Sequence, residues 1–141
     1  MAYKDKALAF HQQGYNCAQA VACAFKDQID LDETTIFKLT EGYGLGMGNM
    51  QGTCGALSGA LMIMSYLNST GKIGEAMPKS KGQTYQLDRL ITGEFIKANG
   101  SMICKELKTP GPKQVPCETC IAKACDILEA ELNNIKGTMF E

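Results

Sequence analysis

Seven cysteines in 141 residues are the side chains of this sequence with the most chemistry to offer. Cys17 stands in "GYNCAQAV" behind Asn16, Cys54 in "GTCGALSGALM" behind Thr53, Cys104 in "GSMICKEL" three residues past Ser101, and Cys117 behind Pro116. Asn, Thr and Ser cap helix N-termini and proline favours the first helical position, so all four cysteines fall in predicted first turns. A helix start offers unpaired N–H groups and the positive end of the macrodipole, and both favour a thiolate over a thiol. The dipole contributes about 0.3–1 kcal/mol at an exposed site, less than the roughly 1.4 kcal/mol of one pKa unit. Direct N–H···S bonds or a nearby cation must supply the rest, and Lys105 and Lys113 are the sequence candidates for the cation. If the four turns converge, each added thiolate raises the pKa of the next, so convergence demands a metal cation or a disulfide.

The other cysteines divide. Cys120 makes "CETC" with Cys117, a C-x-x-C pair at a helix start as in thioredoxin-like motifs. A zinc ribbon needs a second such pair, and a c-type haem needs His where Ile121 stands. Cys125 shares an apolar stripe with Ile121, Ala124 and Leu128, and Cys23 lies inside an Ala-rich helix, so both read as small core residues. In a thiol–disulfide couple Cys54 would be the attacking thiolate, since it joins a helix start to a glycine-rich approach, with Cys17 or Cys104 resolving. A bridge requires Cα atoms within about 7 Å.

Other chemistries find little support. The lone histidine, His11, reads as an exposed or capping residue rather than a base or ligand. Ser58 lacks the G-x-S-x-G frame and a partner histidine, which excludes serine hydrolysis. In "GYGLGMGNMQG" Gln51 occupies the place of the third glycine of a dinucleotide cradle, and no strand precedes it. The methionines at 47, 50, 62 and 64 are either soft Cu(I) ligands or, by the commoner pattern, core.

The elements that must position these residues are helices. Tyr3 to Gln13 is mostly polar and stops at Gly14; "CAQAVACAFKDQ" follows the cap Asn16; "DLDETTIFKLTEGYG" gives a short helix capped by Asp30 or Asp32. The glycine run is a loop. From Thr53 to about Asn68 comes a central helix, buried most of the way round, whose Gly55 and Gly59 let another helix approach closely. "STGKIGEAMPKSKG" is a surface loop, and "TYQLDRLITGEFIKANG" is a helix with Leu87, Leu90, Ile91 and Phe95 on one face. A turn at "SMICKEL" and a long helix from Cys117 complete the chain. No segment alternates with the period of a strand, so the fold is expected to be all-α, a small bundle of five to six helices forming one domain over 1–141.

A formal net charge of −1 with scattered Lys and Arg offers no footprint for nucleic acid. The charged N-terminus lacks the apolar core of a secretory signal, and the longest apolar run, Ala56 to Leu67, is too short to span a bilayer. No membrane insertion and a cytoplasmic location are expected, and in a reducing cytosol cysteines serve as ligands, redox groups or core.

The frame "GYNCAQAV", "GTCGALSGALM", "GSMICKEL" and a cysteine opening a C-terminal helix resembles the C_GCAxxG_C_C family, from about Phe10 to Leu132. The resemblance implies a small helical protein, redox-active through its cysteines and often encoded near transporter genes. Its signature cysteines would be Cys17, Cys54, Cys104 and Cys117, with Cys120 a rival for the fourth place, and its motif glycines Gly55 and Gly59. Three readings follow. In the first the four cysteines exchange thiols and disulfides or pass electrons, a thiol–disulfide oxidoreductase with no cofactor. In the second they, together with Cys120, ligate an iron–sulfur cluster or a Zn or Cu ion. In the third the chain is a non-catalytic interaction protein. The expected partners are a redox protein, a membrane transporter system or a second copy of the chain.

Overall fold

Local signals start and stop most helices in the computed structural model, which describes residues 2–74 and 79–139. Helix α1 (Tyr3–Gln12) ends ahead of Gly14, which takes a φ of +101°. Helix α2 (Cys17–Ala24) opens on a capping box: the Gln19 backbone N–H donates to the Asn16 side-chain oxygen and the Asn16 backbone N–H donates to the Gln19 side-chain oxygen, both at 2.9 Å. Asp32, not Asp30, caps α3 (Glu33–Thr40) by accepting from the Thr35 N–H. The short α4 (Gly44–Met47) is one distorted turn, with Leu45 and Gly46 in left-handed conformations, inside the expected glycine loop. Then come α5 (Gly55–Asn68), α6 (Lys79–Asn99), α7 (Cys104–Lys108) and α8 (Cys117–Met139). Among the described residues six helices run eight residues or more and no strand forms, so the fold is all-α.

Three predicted helix starts shift. Cys54 itself is the N-cap of α5, Ile103 that of α7, and the Pro116 carbonyl accepts the first bond of α8 from the Cys120 N–H. Thr53 and Ser101 do not cap, because Thr53 and Ile103 form an isolated antiparallel bridge that holds residues flanking each cysteine extended. Helix α6 takes in Lys79 to Gly82, expected as loop, while residues 75–78 of that stretch lie outside the described residues. Its core face carries Thr84, Ile91 and Phe95, and Leu90, expected there, is 51 % exposed because it lies a quarter-turn off that stripe.

Helix α2 sits at the centre, buried from Ala18 to Ala24, and packs on α5, with α8 covering α1 and α5. The predicted close approach is between these two helices: a Cβ at Gly59 would stand 2.6 Å from the Ala18 carbonyl oxygen, and one at Gly55 3.2 Å from the Ala18 nitrogen. Phe25, Leu57, Ile63, Ile91, Phe95, Ile121 and Leu128 fill one continuous core around them. Burial of α5 is less complete than expected: Ser65, Tyr66 and Leu67 are exposed.

Candidate functional site

Two backbone devices set the cysteines in place. The capping box fixes Cys17 as the first residue of α2, beside the first turn of α5, where Gly55 leaves room for the Cys17 Cβ. The Thr53–Ile103 bridge aligns two further cysteines: the Cys54 N–H donates to the Met102 carbonyl at 2.7 Å and the Cys104 N–H to the Gly52 carbonyl at 3.0 Å. Gly46 lies against Cys104 so closely that a Cβ there would overlap the Cys104 Cβ. With α8 presenting Cys117 and Cys120 from its first turn, five cysteines from four helix starts come into one electrostatic cluster.

Within the cluster the thiols are paired. The strongest electrostatic couplings run between Cys17 and Cys117 and between Cys54 and Cys120. All are free thiols. The two pairs differ in access: Cys17 and Cys117 are half-buried, whereas Cys54 is 2 % and Cys120 0 % exposed. Cys104, 4 % exposed, adjoins the Cys54 side. Lys108, half-buried in the last turn of α7, reaches both pairs. Its Nζ donates to the Val115 carbonyl at 2.7 Å and approaches the Cys120 Sγ at 3.8 Å.

Each pair holds one proton unequally. The Cys117 thiol is brought down to about 5, first by the hydrogen bond from Cys17, against the cost of burial, and then by the Lys108 charge. The Cys54 thiol is brought down to about 7 by the hydrogen bond from Cys120, again against burial, with the N–H groups of Ala56 and Leu57 and the Lys108 charge assisting. Their partners move the other way: donating to a thiolate, and then burial, push Cys17 and Cys120 well up. Thus the thiolates settle on Cys117 and Cys54, and one ammonium plus helix-start amides compensates two negative charges. Burial alone would lower the Lys108 pKa, but the surrounding thiolates outweigh it and hold the ammonium charged.

The structure departs from the sequence expectations at several side chains. The site cation is Lys108; Lys105 and Lys113 are exposed. Cys120 belongs to the cluster beside Cys117 rather than replacing it. His11, half-buried at the end of α1, donates from Nδ1 to the Tyr15 carbonyl at 3.0 Å, and its Nε2 lies 3.8 Å from Glu118, next to Cys117. It is thus neither exposed nor the cap of α1, a place Gln13 takes, and it adds positive potential at Cys117. Cys23 and Cys125 are fully buried, and burial pushes them up to about 11 and about 12 respectively. Met64 is core, whereas Met47 and Met62 line a groove away from the thiols. Among the described residues no group of three or more His, Cys, Asp or Glu side chains is arranged to hold a metal ion. No described helix is long and apolar enough to cross a membrane.

The model of a family described as "Putative redox-active protein (C_GCAxxG_C_C)" matches residues 15–131, a span that contains all five clustered cysteines and Lys108. No curated protein and no solved structure matches the chain.

Proposed function

The chain belongs to the C_GCAxxG_C_C family, and from that premise we propose that it is a dithiol–disulfide exchange protein with an outer pair, Cys17 and Cys117, and an inner pair, Cys54 and Cys120. The observation that supports this reading is the gathering of five cysteines from four helix starts around one lysine: Cys17 couples to Cys117 and Cys54 to Cys120, and Lys108 acts on both pairs. A nucleophile with a resolving thiol close by is what exchange requires.

The outer pair is the one a partner reaches, so Cys117, rather than the buried Cys54 expected from sequence, attacks first. The Cys117 thiolate forms a bond to one sulfur of a partner's disulfide, whose S–S bond breaks and whose second sulfur leaves as a thiolate. Cys17 gives its proton to that leaving sulfur, then attacks Cys117 Sγ and expels the partner's first sulfur. Two electrons pass to the partner, now a dithiol, and Cys17–Cys117 becomes a disulfide. The inner pair repeats the chemistry on the outer disulfide, with Cys54 attacking and Cys120 resolving, which returns the outer pair to thiols.

Peptide mapping after graded oxidation of the reduced protein by a small-molecule disulfide tests this. The expected bridges are Cys54–Cys120, which accumulates at low oxidant because the inner pair re-reduces the outer one, and Cys17–Cys117 once the inner pair is oxidised, with Cys23 and Cys125 alkylated only after unfolding. Bridges joining other partners, or no bridge at all, would overturn the reading.

A further inference from the structure

Away from the thiols, a groove of about 540 Å³ runs between α3, α5 and α6, inside the size range of small-molecule sites. Its floor is one face of α5, where Ser58, Leu61, Met62 and Ser65 recur at helical spacing. Its side is formed by Leu39, Tyr43 and Met47, each more than two-fifths exposed. This is the face of α5 that the bundle leaves uncovered, and it is apolar with two hydroxyls. Such a surface on a chain of mixed charge needs an occupant or costs solubility.

The charge of the lining says what kind of occupant. Asp88 of α6 is the single ionisable carboxylate or cation among the side chains that line the groove. Its Oδ1 is enclosed without a hydrogen-bond partner, and no ion pair reaches the side chain among the described residues, so the carboxylate meets the groove through its remaining surface with its charge uncompensated. Burial holds its pKa above the ordinary carboxylate value, the signature of a charge kept at a cost. At the rim, the Tyr66 hydroxyl donates to Asp30, a second carboxylate. Two tyrosine rings and negative potential, with no Lys or Arg in the lining, suit a positive charge on an apolar body.

We propose that this groove binds a small organic cation, an alkyl- or arylammonium whose apolar part lies on α5 and whose charge faces Asp88. The ammonium offsets the unpaired carboxylate, and Leu61, Met62 and Leu39 take the hydrocarbon. The inference does not depend on the thiol chemistry, because no cysteine lines the groove.

Calorimetric titration with n-octylammonium, 1-octanol and octanoate tests it. The reduced protein should bind octylammonium at least tenfold more tightly than octanol, and octanoate more weakly than either. Asp88→Asn should bind octanol as before and lose the preference for the ammonium. Asp5→Asn, the same charge change at an exposed position on α1, should keep that preference, which separates the groove from general attraction to an anionic surface. Equal affinity for the alcohol and the ammonium, a preference that survives Asp88→Asn, or no saturable binding would overturn the proposal. So would a dimer in which a second copy seals the groove against all three probes.

Discussion

At the scale of single residues, Lys108 is the one cation that acts on both thiol pairs, after the partner cysteines themselves. An opposite charge within reach lowers an acid's pKa by about 1–3 units, and Lys108 is the shared cation of both pairs. Lys108→Met should therefore raise the Cys117 and Cys54 thiols by about 1–3 units, read as the midpoint of alkylation rate against pH. Unchanged midpoints would remove Lys108 from the account. A dependence of stability on pH follows with a definite sign. Between about 5 and the ordinary thiol range, folded Cys117 has released a proton that the unfolded chain still binds, so stability of the reduced protein rises with pH through this window. Above the ordinary thiol range Cys17 and Cys120 retain protons that the unfolded chain has released, and stability falls again. Urea unfolding of the reduced protein from pH 5 upward checks both limbs, and a flat profile between pH 5 and 8 would contradict the lowered Cys117 value. Sequence pointed to a lysine here but to the wrong ones. Nothing in the sequence marks Lys108 out from Lys105 and Lys113, and only the orientation of a five-residue helix, pinned by the Val115 N–H donating to the Leu107 carbonyl at 2.8 Å, turns Lys108 inward.

At the scale of elements, the site depends on how closely α2 and α5 approach. With its Cβ 2.6 Å from the Ala18 carbonyl oxygen, an alanine at 59 meets backbone that cannot rotate aside. Gly59→Ala should therefore destabilise the protein by about 1–3 kcal/mol, the usual cost of overpacking, measured by denaturant midpoint; an unchanged midpoint would mean the helices part freely. Because the added methyl separates the helices that carry Cys17 and Cys54, the pH profiles of their pairs should move as well. The approach was legible in the sequence, since two glycines one helical turn apart on an apolar helix have few other uses. So were Asn16 and the stops at Gly14 and Gly100, because capping is decided within a few residues. The Thr53–Ile103 bridge was not, for it pairs segments fifty residues apart and shows no alternation of its own. It displaced the predicted caps by a residue or more while leaving the cysteines at helix starts. The pairing of Cys117 with Cys17 and of Cys120 with Cys54 was equally hidden, because it depends on where α8 crosses the two helices rather than on any local signal.

At the scale of the whole molecule, the two pairs join the first turn of α8 to the start of α2 and to the start of α5. Oxidation would thus staple three helices that otherwise meet only through the core. The loops closed are long, about 100 residues for Cys17–Cys117 and about 66 for Cys54–Cys120, and constraint on the unfolded chain grows with loop length, typically giving about 2–4 kcal/mol per bridge. Because each pair's thiols are electrostatically coupled neighbours when reduced, the entropic gain of bridging them is expected to exceed the cost of drawing the sulfurs together. The oxidised protein is therefore expected to unfold at a higher urea concentration than the reduced protein, and Cys17→Ser should lose the part of that gain due to the outer pair while keeping the inner one. An oxidised form no more stable than the reduced one would mean that the sulfurs bridge only by disrupting the bundle. A dithiol protein that is stabilised on oxidation holds its disulfides more firmly and is a weaker oxidant, since the bonds and the fold support each other. The direction of the shift thus bears on the direction in which the site passes electrons: a gain on oxidation favours donating electrons to a partner's disulfide, whereas the lowered Cys117 thiol, by stabilising the reduced form, works in the opposite sense, so the measured gain weighs one against the other.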